Sequence, residues 1–327
     1  MRRRTLISVL AGSAIAAPRV ATAQTPARVF HLGTLTPGLP LGVDSPSAKV
    51  LLGVLAQRGY TVGRNLTYEA RASGGQNAKL PLLLQEFKAG GIDAVVTIGF
   101  PPALAAKASG LPTVAANGVG DPVATGLIES LARPGDNVTG ISDVASTLSV
   151  KRLSLLKELS PNLTKVAMLW NRDDLGMSLR YEASAAAARS LGVSVQALGV
   201  REPDDFDGVF EAMDREPPGA ILMVSDSLTM LNRKRVFDYA AAKRLPAIYE
   251  YDPLVREGGL MSYGPDLKES FERAAALVDR IFKGAKPSEL PFEQPTRYLF
   301  VVNLKTAKAI GLDIPPNLLA RADEAIE

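Results

Sequence analysis

A regular alternation of short apolar runs with longer amphipathic segments constrains the fold of this chain more than any other feature. Short apolar runs bounded by turn residues are typical of buried parallel strands, and the amphipathic segments between them are typical of covering helices. Strands are predicted at residues 29–33, 66–69, 94–98, 113–116, 166–170, 193–198, 221–224 and 247–249. The pattern predicts an α/β protein of βαβ units. Because each set of four strands spans about 80 residues, we expect one lobe architecture to occur twice.

The C-terminal part predicts one further helix and one further strand. A single apolar stripe at helical spacing indicates an amphipathic helix at residues 267–283. A proline-rich stretch at 287–295 leads from it to a strand-like segment at 298–302. A Ser/Thr/Gly-rich stretch at 140–149 is the expected boundary between the two halves.

Residue types that many enzymes and metal sites need are nearly absent. The 327 residues include no cysteine and one histidine, His31. This excludes disulfides, cysteine-type zinc sites, and metal motifs that need two histidines. No G-x-S-x-G, H-E-x-x-H or G-x-x-x-x-G-K-[ST] motif occurs. The composition favours a binding protein over an enzyme, and no cofactor or metal is expected.

The first 23 residues have the features of an export signal. Three arginines at positions 2–4 precede an apolar segment, and Ala21-Thr22-Ala23 supplies the small residues at which a signal peptidase cleaves. Twin-arginine and Sec export both remain open. Removal of this segment changes the net charge from +3 to −1, so the charge gives no indication of nucleic-acid binding. We expect a soluble protein in the periplasm, cleaved near Ala23.

Candidate ligand-binding residues lie where predicted strands end, because ligands of open parallel sheets bind beyond the carboxyl ends of the strands. Two lobes that face each other through such loops would enclose a cleft with aromatic walls and polar groups. The candidates are Thr34, Gly99, Phe100, Asn117, Asp121, Trp170, Asn171, Asp226, Glu250 and Tyr251. Core packing of the aromatic residues and helix capping by the acids explain the same positions, and both interpretations stay open. Capping is also the interpretation of Asp174.

Seven segments across the mature chain resemble a known family. They are DPVATGLIESLARPGDNVTG at 121–140, KRLSLLKEL at 151–159, RLPAIYE at 244–250, GGLMSYGP at 258–265, DRIFKGAKP at 279–287, NLKTAKA at 303–309 and PPNLLARAD at 315–323. In these segments the chain resembles the substrate-binding proteins of ABC transporters, which are relatives of the tryptophan- and tyrosine-binding proteins of Gram-positive bacteria.

The resemblance implies a type I periplasmic binding protein fold, with two Rossmann-like lobes joined by three crossovers. The implied division is a signal peptide at 1–23, a first lobe of residues 24–143 plus 265–286, and a second lobe of residues 144–264 plus 287–327. It also implies a monomer that closes on a small-molecule ligand and docks on an ABC permease in the inner membrane, with no nucleic-acid partner. A periplasmic sensor that presents its bound state to a membrane receptor is the alternative function.

The ligand itself must be argued from the site, because such families change pocket residues on one scaffold. Bulky apolar residues, including Met177 and Met230, lie near the predicted cleft loops. Aromatic walls, several carboxylates and few cations predict a ligand with an amine and an apolar body, such as an aromatic or branched amino acid. Helix N-terminal amides would hold its carboxylate.

Overall fold

The computed structural model describes residues 28–143 and 145–327, with no account of the side chains of residues 145 and 146. The predicted export signal at residues 1–23 lies outside the described residues. Within the described ranges, no helix combines the length and the apolarity that a membrane span requires.

The first lobe is built on five parallel strands. They are β1 (Phe30–Thr36), β2 (Leu66–Ala72), β3 (Ala94–Ile98), β4 (Thr113–Asn117) and β5 (Val138–Gly140). Their order in the sheet is β2-β1-β3-β4-β5. The helices between them are α1 (Pro46–Gln57), α2 (Leu80–Ala89) and α3 (Phe100–Ser109). This doubly wound arrangement brings the loops after β1, β3 and β4 to one edge of the sheet.

The second lobe repeats the plan with seven strands. They are β6 (Lys165–Asn171), β7 (Ser194–Val200), β8 (Ala220–Met223), β9 (Ala247–Tyr249), β10 (Met261–Pro265), β11 (Tyr298–Asn303) and β12 (Glu324–Ile326). Their order is β12-β11-β10-β9-β8-β6-β7, and the β10–β11 pair is antiparallel whereas the others are parallel. The remaining helices are α4 (Ala145–Leu159), α5 (Leu175–Ser190), α6 (Asp205–Arg215), α7 (Ser227–Leu231), α8 (Arg233–Lys243), α9 (Asp252–Arg256), α10 (Leu267–Phe282), α11 (Leu304–Ala309) and α12 (Pro316–Leu319).

The chain passes from one lobe to the other three times. It leaves the first sheet after β5, returns from β10 to α10, and leaves again for β11. Helix α10 belongs to the first lobe because its apolar face, which includes Phe271 and Val278, packs in one cluster with Leu32 and Leu51. Three connections therefore join the two lobes within the described ranges.

All eight predicted main strands and the late helix and strand are present in the structure. Strands β5, β10 and β12 were not predicted. They have three, five and three residues, and β10 ends in Gly264-Pro265, a pair that more often terminates a strand. These segments become strands because neighbouring strands already provide a hydrogen-bonding edge.

Candidate functional site

A cavity of about 320 Å³ lies between the two lobes. From the first lobe it is lined by residues that end or follow β1, β3 and β4 or belong to α1, α3 and α10: Thr36, Pro37, Gly38, Leu39, Leu41, Ser47, Ile98, Gly99, Pro101, Asn117, Gly118, Leu267 and Phe271. From the second lobe it is lined by Asp174, Met177, Ser225, Asp226, Ser227, Met230, Leu231, Arg233, Tyr251 and Glu257. Small-molecule sites have volumes of about 300–1,000 Å³, so this cavity suits a ligand at the small end of that range.

Much of the cavity wall is apolar and comes from both lobes. Leu39 and Leu41 lie in the loop after β1, and Met230 and Leu231 end α7 on the opposite side. The Leu39 side chain is 74% exposed, so it is free to lie against a bound ligand. The wall therefore suits the apolar body of a ligand.

Two carboxylates, Asp174 and Asp226, form the polar end of the cavity. Asp226 directly precedes α7 as its N-cap, and its Oδ1 accepts a hydrogen bond from the Thr229 amide at 2.9 Å. Its Oδ2 accepts one from Asn171 Nδ2 at 2.6 Å. Asp174 begins α5 and accepts a hydrogen bond from the Met177 amide at 3.2 Å. Both acids thus cap helices and also line the cavity.

The protein environment disfavours the charged forms of these two acids. Burial raises the pKa of Asp174 from 3.8 to about 7, and the negative charge of Asp226 raises it as well, against the hydrogen bonds from the Met177 and Gly176 amides. Burial also raises the pKa of Asp226, against the hydrogen bonds it accepts. The charge of Asp226 therefore acts on Asp174, and a cation bound beside them would favour the charged forms of both acids.

A buried ion network lies next to the cavity, around Glu250. Its Oε1 accepts a hydrogen bond from Arg152 at 2.9 Å, and its Oε2 accepts one from Arg180 at 2.7 Å. Arg180 also pairs with Asp143, which lies between β5 and α4. Glu250 accepts a further hydrogen bond from the amide of Ser225, at 3.0 Å. The network joins the first crossover to the loop that carries Asp226.

The structure brings four of the predicted site residues to the cavity wall: Gly99, Asn117, Asp226 and Tyr251. Asn171 lies behind the wall and donates to Asp226. Glu250 also lies behind it, where the two arginines and a backbone amide occupy its carboxylate.

The other four predicted residues do not line the cavity. Thr34 shares a hydrogen bond of 3.1 Å with the hydroxyl of Tyr68, and Phe100 is buried in the first-lobe core. Trp170 is buried and stacks on a neighbouring tyrosine ring with centroids 3.6 Å apart. Asp121 is exposed and accepts hydrogen bonds from two backbone amides of its own turn.

Some residues at the site were missed or undervalued from the sequence. Asp174 follows β6 in the kind of loop that the strand-end argument selects, and it lines the cavity as well as capping α5. Nothing in the sequence signals Arg180, which meets Glu250 across 70 residues of chain. Met177 and Met230 were expected near the cleft, and both line the cavity.

Comparisons with known proteins agree with this architecture. Residues 47–326 match the sequence profile of the family described as ABC transporter substrate binding protein. A tyrosine-binding protein of Clostridioides difficile (strain R20291) is 23% identical over 281 residues, which cover 84% of this chain and 80% of that protein.

Two solved structures align with 91% of this chain and with 100% of their own chains, each at 24% sequence identity. A conserved domain protein from Vibrio cholerae has a TM-score of 0.84, and an ABC domain from Streptococcus pneumoniae in complex with L-Trp has a TM-score of 0.82. At this level of identity they establish the fold, which is that of the type I periplasmic binding proteins.

Proposed function

The chain belongs to the family of ABC transporter substrate-binding proteins, which are solute-binding proteins rather than enzymes, and we propose that it captures an amino acid with an aromatic or branched side chain for an ABC importer. The observation that carries this proposal is the interlobe cavity, whose wall is largely apolar and whose polar end is a pair of carboxylates.

Each part of an amino acid finds a matching surface in this cavity. The ammonium group would lie against Asp226 and Asp174, and the side chain would lie against the leucine and methionine wall. The carboxylate would face the Ser47 amide in the first turn of α1. Helix N-termini attract anions through their free amide groups and the helix dipole. The relatives named above include a tyrosine-binding protein and a domain in complex with L-Trp.

We propose that capture proceeds by closure of two lobes, made of residues 24–143 plus 265–286 and 144–264 plus 287–327. Ligand contacts to both lobes would favour the closed state over the open one. The closed protein would then dock on a permease of the inner membrane, from the periplasmic side. The same capture would serve a sensor, and loss of ligand uptake on deletion of the gene would distinguish transport from sensing.

A thermal-shift screen of residues 24–327 against amino acids, sugars and nucleosides tests this proposal. An aromatic or branched amino acid should raise the melting temperature, since a ligand at a hundredfold excess over its Kd stabilises the folded state by about 2.7 kcal/mol. Asp226→Asn should abolish the shift. Asp238→Asn makes the same chemical change on an exposed face of α8 and should preserve it. A shift with sugars alone, or an unchanged shift in Asp226→Asn, would overturn the proposal.

A further inference from the structure

Among the described residues, none supplies a cation to the carboxylate pair of the cavity. Within residues 28–143 and 145–327, neither Asp174 nor Asp226 makes a salt bridge, and their hydrogen bonds come from backbone amides, Asn171 and Thr229. Asp174 is buried and Asp226 is partly buried, so the two acids lose hydration, and without a counterion a full charge on both is unfavourable.

The charged groups that face the pair from the surrounding elements are occupied elsewhere. Arg180 on α5 pairs with Asp143 and Glu250. Arg233 at the start of α8 pairs with Glu257 and also donates to the Met230 carbonyl oxygen at 2.7 Å. Tyr251 lines the cavity with its hydroxyl 3.4 Å from Asp143 Oδ2. The first-lobe residues of the cavity wall carry no ionisable group.

The side chain of Ser225, next to the pair, provides a second observation. The Ser225 side chain is 4% exposed and lines the cavity directly before Asp226, yet its Oγ has no hydrogen-bond partner among the described residues. A buried hydroxyl group without a partner is unfavourable, and nearly all such groups in proteins are satisfied. The position of Ser225 points to a polar ligand group at this end of the cavity.

We propose that Asp174 and Asp226 together hold the ligand's cationic amine, and that its arrival expels to solvent a proton that the pair holds in the empty cavity. The inference rests on the proposed function, because it concerns the amine end of the same ligand. The ligand keeps its ammonium proton, and the proton that leaves comes from the carboxylate pair.

The electrostatics of the site agree with this exchange. The raised pKa of Asp174, about 7, means that the empty pair is protonated in a large fraction of molecules near neutral pH. A bound ammonium provides the missing counterion and lowers the pKa of both acids, so the proton is released. Asp174, which the sequence suggests is only a helix cap, thereby becomes a residue that selects for cationic ligands.

Isothermal titration calorimetry of residues 24–327 measures the exchange in pairs of buffers that differ in ionisation enthalpy, which are phosphate and Bis-Tris at pH 6–7 and HEPES and Tris at pH 8.5. The probes are L-tryptophan, L-tyrosine and L-leucine. We expect release of roughly 0.5–1 proton per bound ligand at pH 6–7 and little release at pH 8.5. Below pH 6.5, the affinity should increase up to about tenfold for each unit by which the pH increases. Asp174→Asn keeps an oxygen that can cap α5, and it should bind more weakly, with less proton release and a shallower pH profile, because Asp226 keeps its own raised pKa. Asp238→Asn should behave as the wild type.

The outcomes separate this inference from the proposed function. Binding of a probe without proton release at pH 6–7, or with release unchanged in Asp174→Asn, would overturn the inference and leave the proposed function in place. If no probe binds to the wild type at any pH, both are overturned.

Discussion

The substitution Glu250→Gln removes the central acid of the buried ion network and should destabilise the second lobe strongly. Arg152 and Arg180 are each 3% exposed and Glu250 is 1% exposed, so water cannot replace the lost charge. The variant leaves two buried guanidinium groups with Asp143 as their remaining acid. Removal of one partner from a buried ion pair costs about 3–5 kcal/mol. At about 2–4 °C per kcal/mol for a domain of this size, the melting temperature should fall by roughly 6–20 °C.

Urea unfolding followed by tryptophan fluorescence is a direct assay for this loss. The chain has one tryptophan, Trp170, which is buried in β6 of the same lobe as the network. Glu158→Gln serves as the control, because Glu158 makes an exposed ion pair with Arg321. Surface pairs of this kind contribute about 0–1 kcal/mol, so the control should unfold close to the wild type.

A double variant tests whether charge balance is the cause. Arg152→Met combined with Glu250→Gln removes one charge of each sign and leaves Arg180 with Asp143. We expect it to lose less stability than the sum of the two single variants, because the residual network is neutral. Strict additivity, or a loss below about 1 kcal/mol in Glu250→Gln, would refute the electrostatic explanation.

Three further predictions concern the core, two glycine positions and the pH response of the empty protein. Trp170→Phe should lower the free energy of unfolding by about 1 kcal/mol through lost ring stacking. The ligand affinity measured by calorimetry should not change, and a large loss of affinity would place that ring against the ligand. Gly264→Ala should unfold at a much lower urea concentration, because a Cβ there would collide with the Glu250 carbonyl oxygen. In Gly208→Ala the added Cβ lies in open space on α6, so the free energy of unfolding should increase by about 1 kcal/mol. The pKa of Asp174 is raised from 3.8 to about 7, so the folded protein retains a proton that the unfolded chain has lost. The empty protein should therefore lose up to about 4 kcal/mol from this group as pH rises from 4 to 8. Asp174→Asn should make the slope shallower in melting experiments, and an unchanged slope would contradict the assignment.

The sequence predicted the fold well because strands and helices with strong hydrophobic periodicity carry a local signal. The late helix shows this, since the apolar stripe that includes Phe271 and Val278 is the face that packs on the first lobe. Strand β10 had no such signal, because its Gly264-Pro265 ending is locally unfavourable and only pairing with β9 and β11 makes it a strand.

The site was predicted less completely, because the sequence fixes where a loop lies but not where each side chain points. Asp226 follows β8 and reaches the cavity, as the strand-end argument requires. Trp170 lies one residue before the end of β6, and in a strand successive side chains point to opposite faces, so its ring enters the core. The pairing of Arg180 with Glu250 depends on packing between elements far apart in the chain.

The most direct test of the central claim compares amino acids with analogues that lack only the amine. L-tryptophan, L-tyrosine and L-leucine are titrated by calorimetry beside indole-3-propionate, 3-(4-hydroxyphenyl)propionate and 4-methylpentanoate. We predict that at least one of the amino acids binds and that its analogue binds about a hundredfold more weakly or not at all, because the analogue leaves the buried carboxylates without a cation. Equal affinity within each pair that binds, or no binding by any of the three amino acids, would contradict the claim that this cavity recognises an amine.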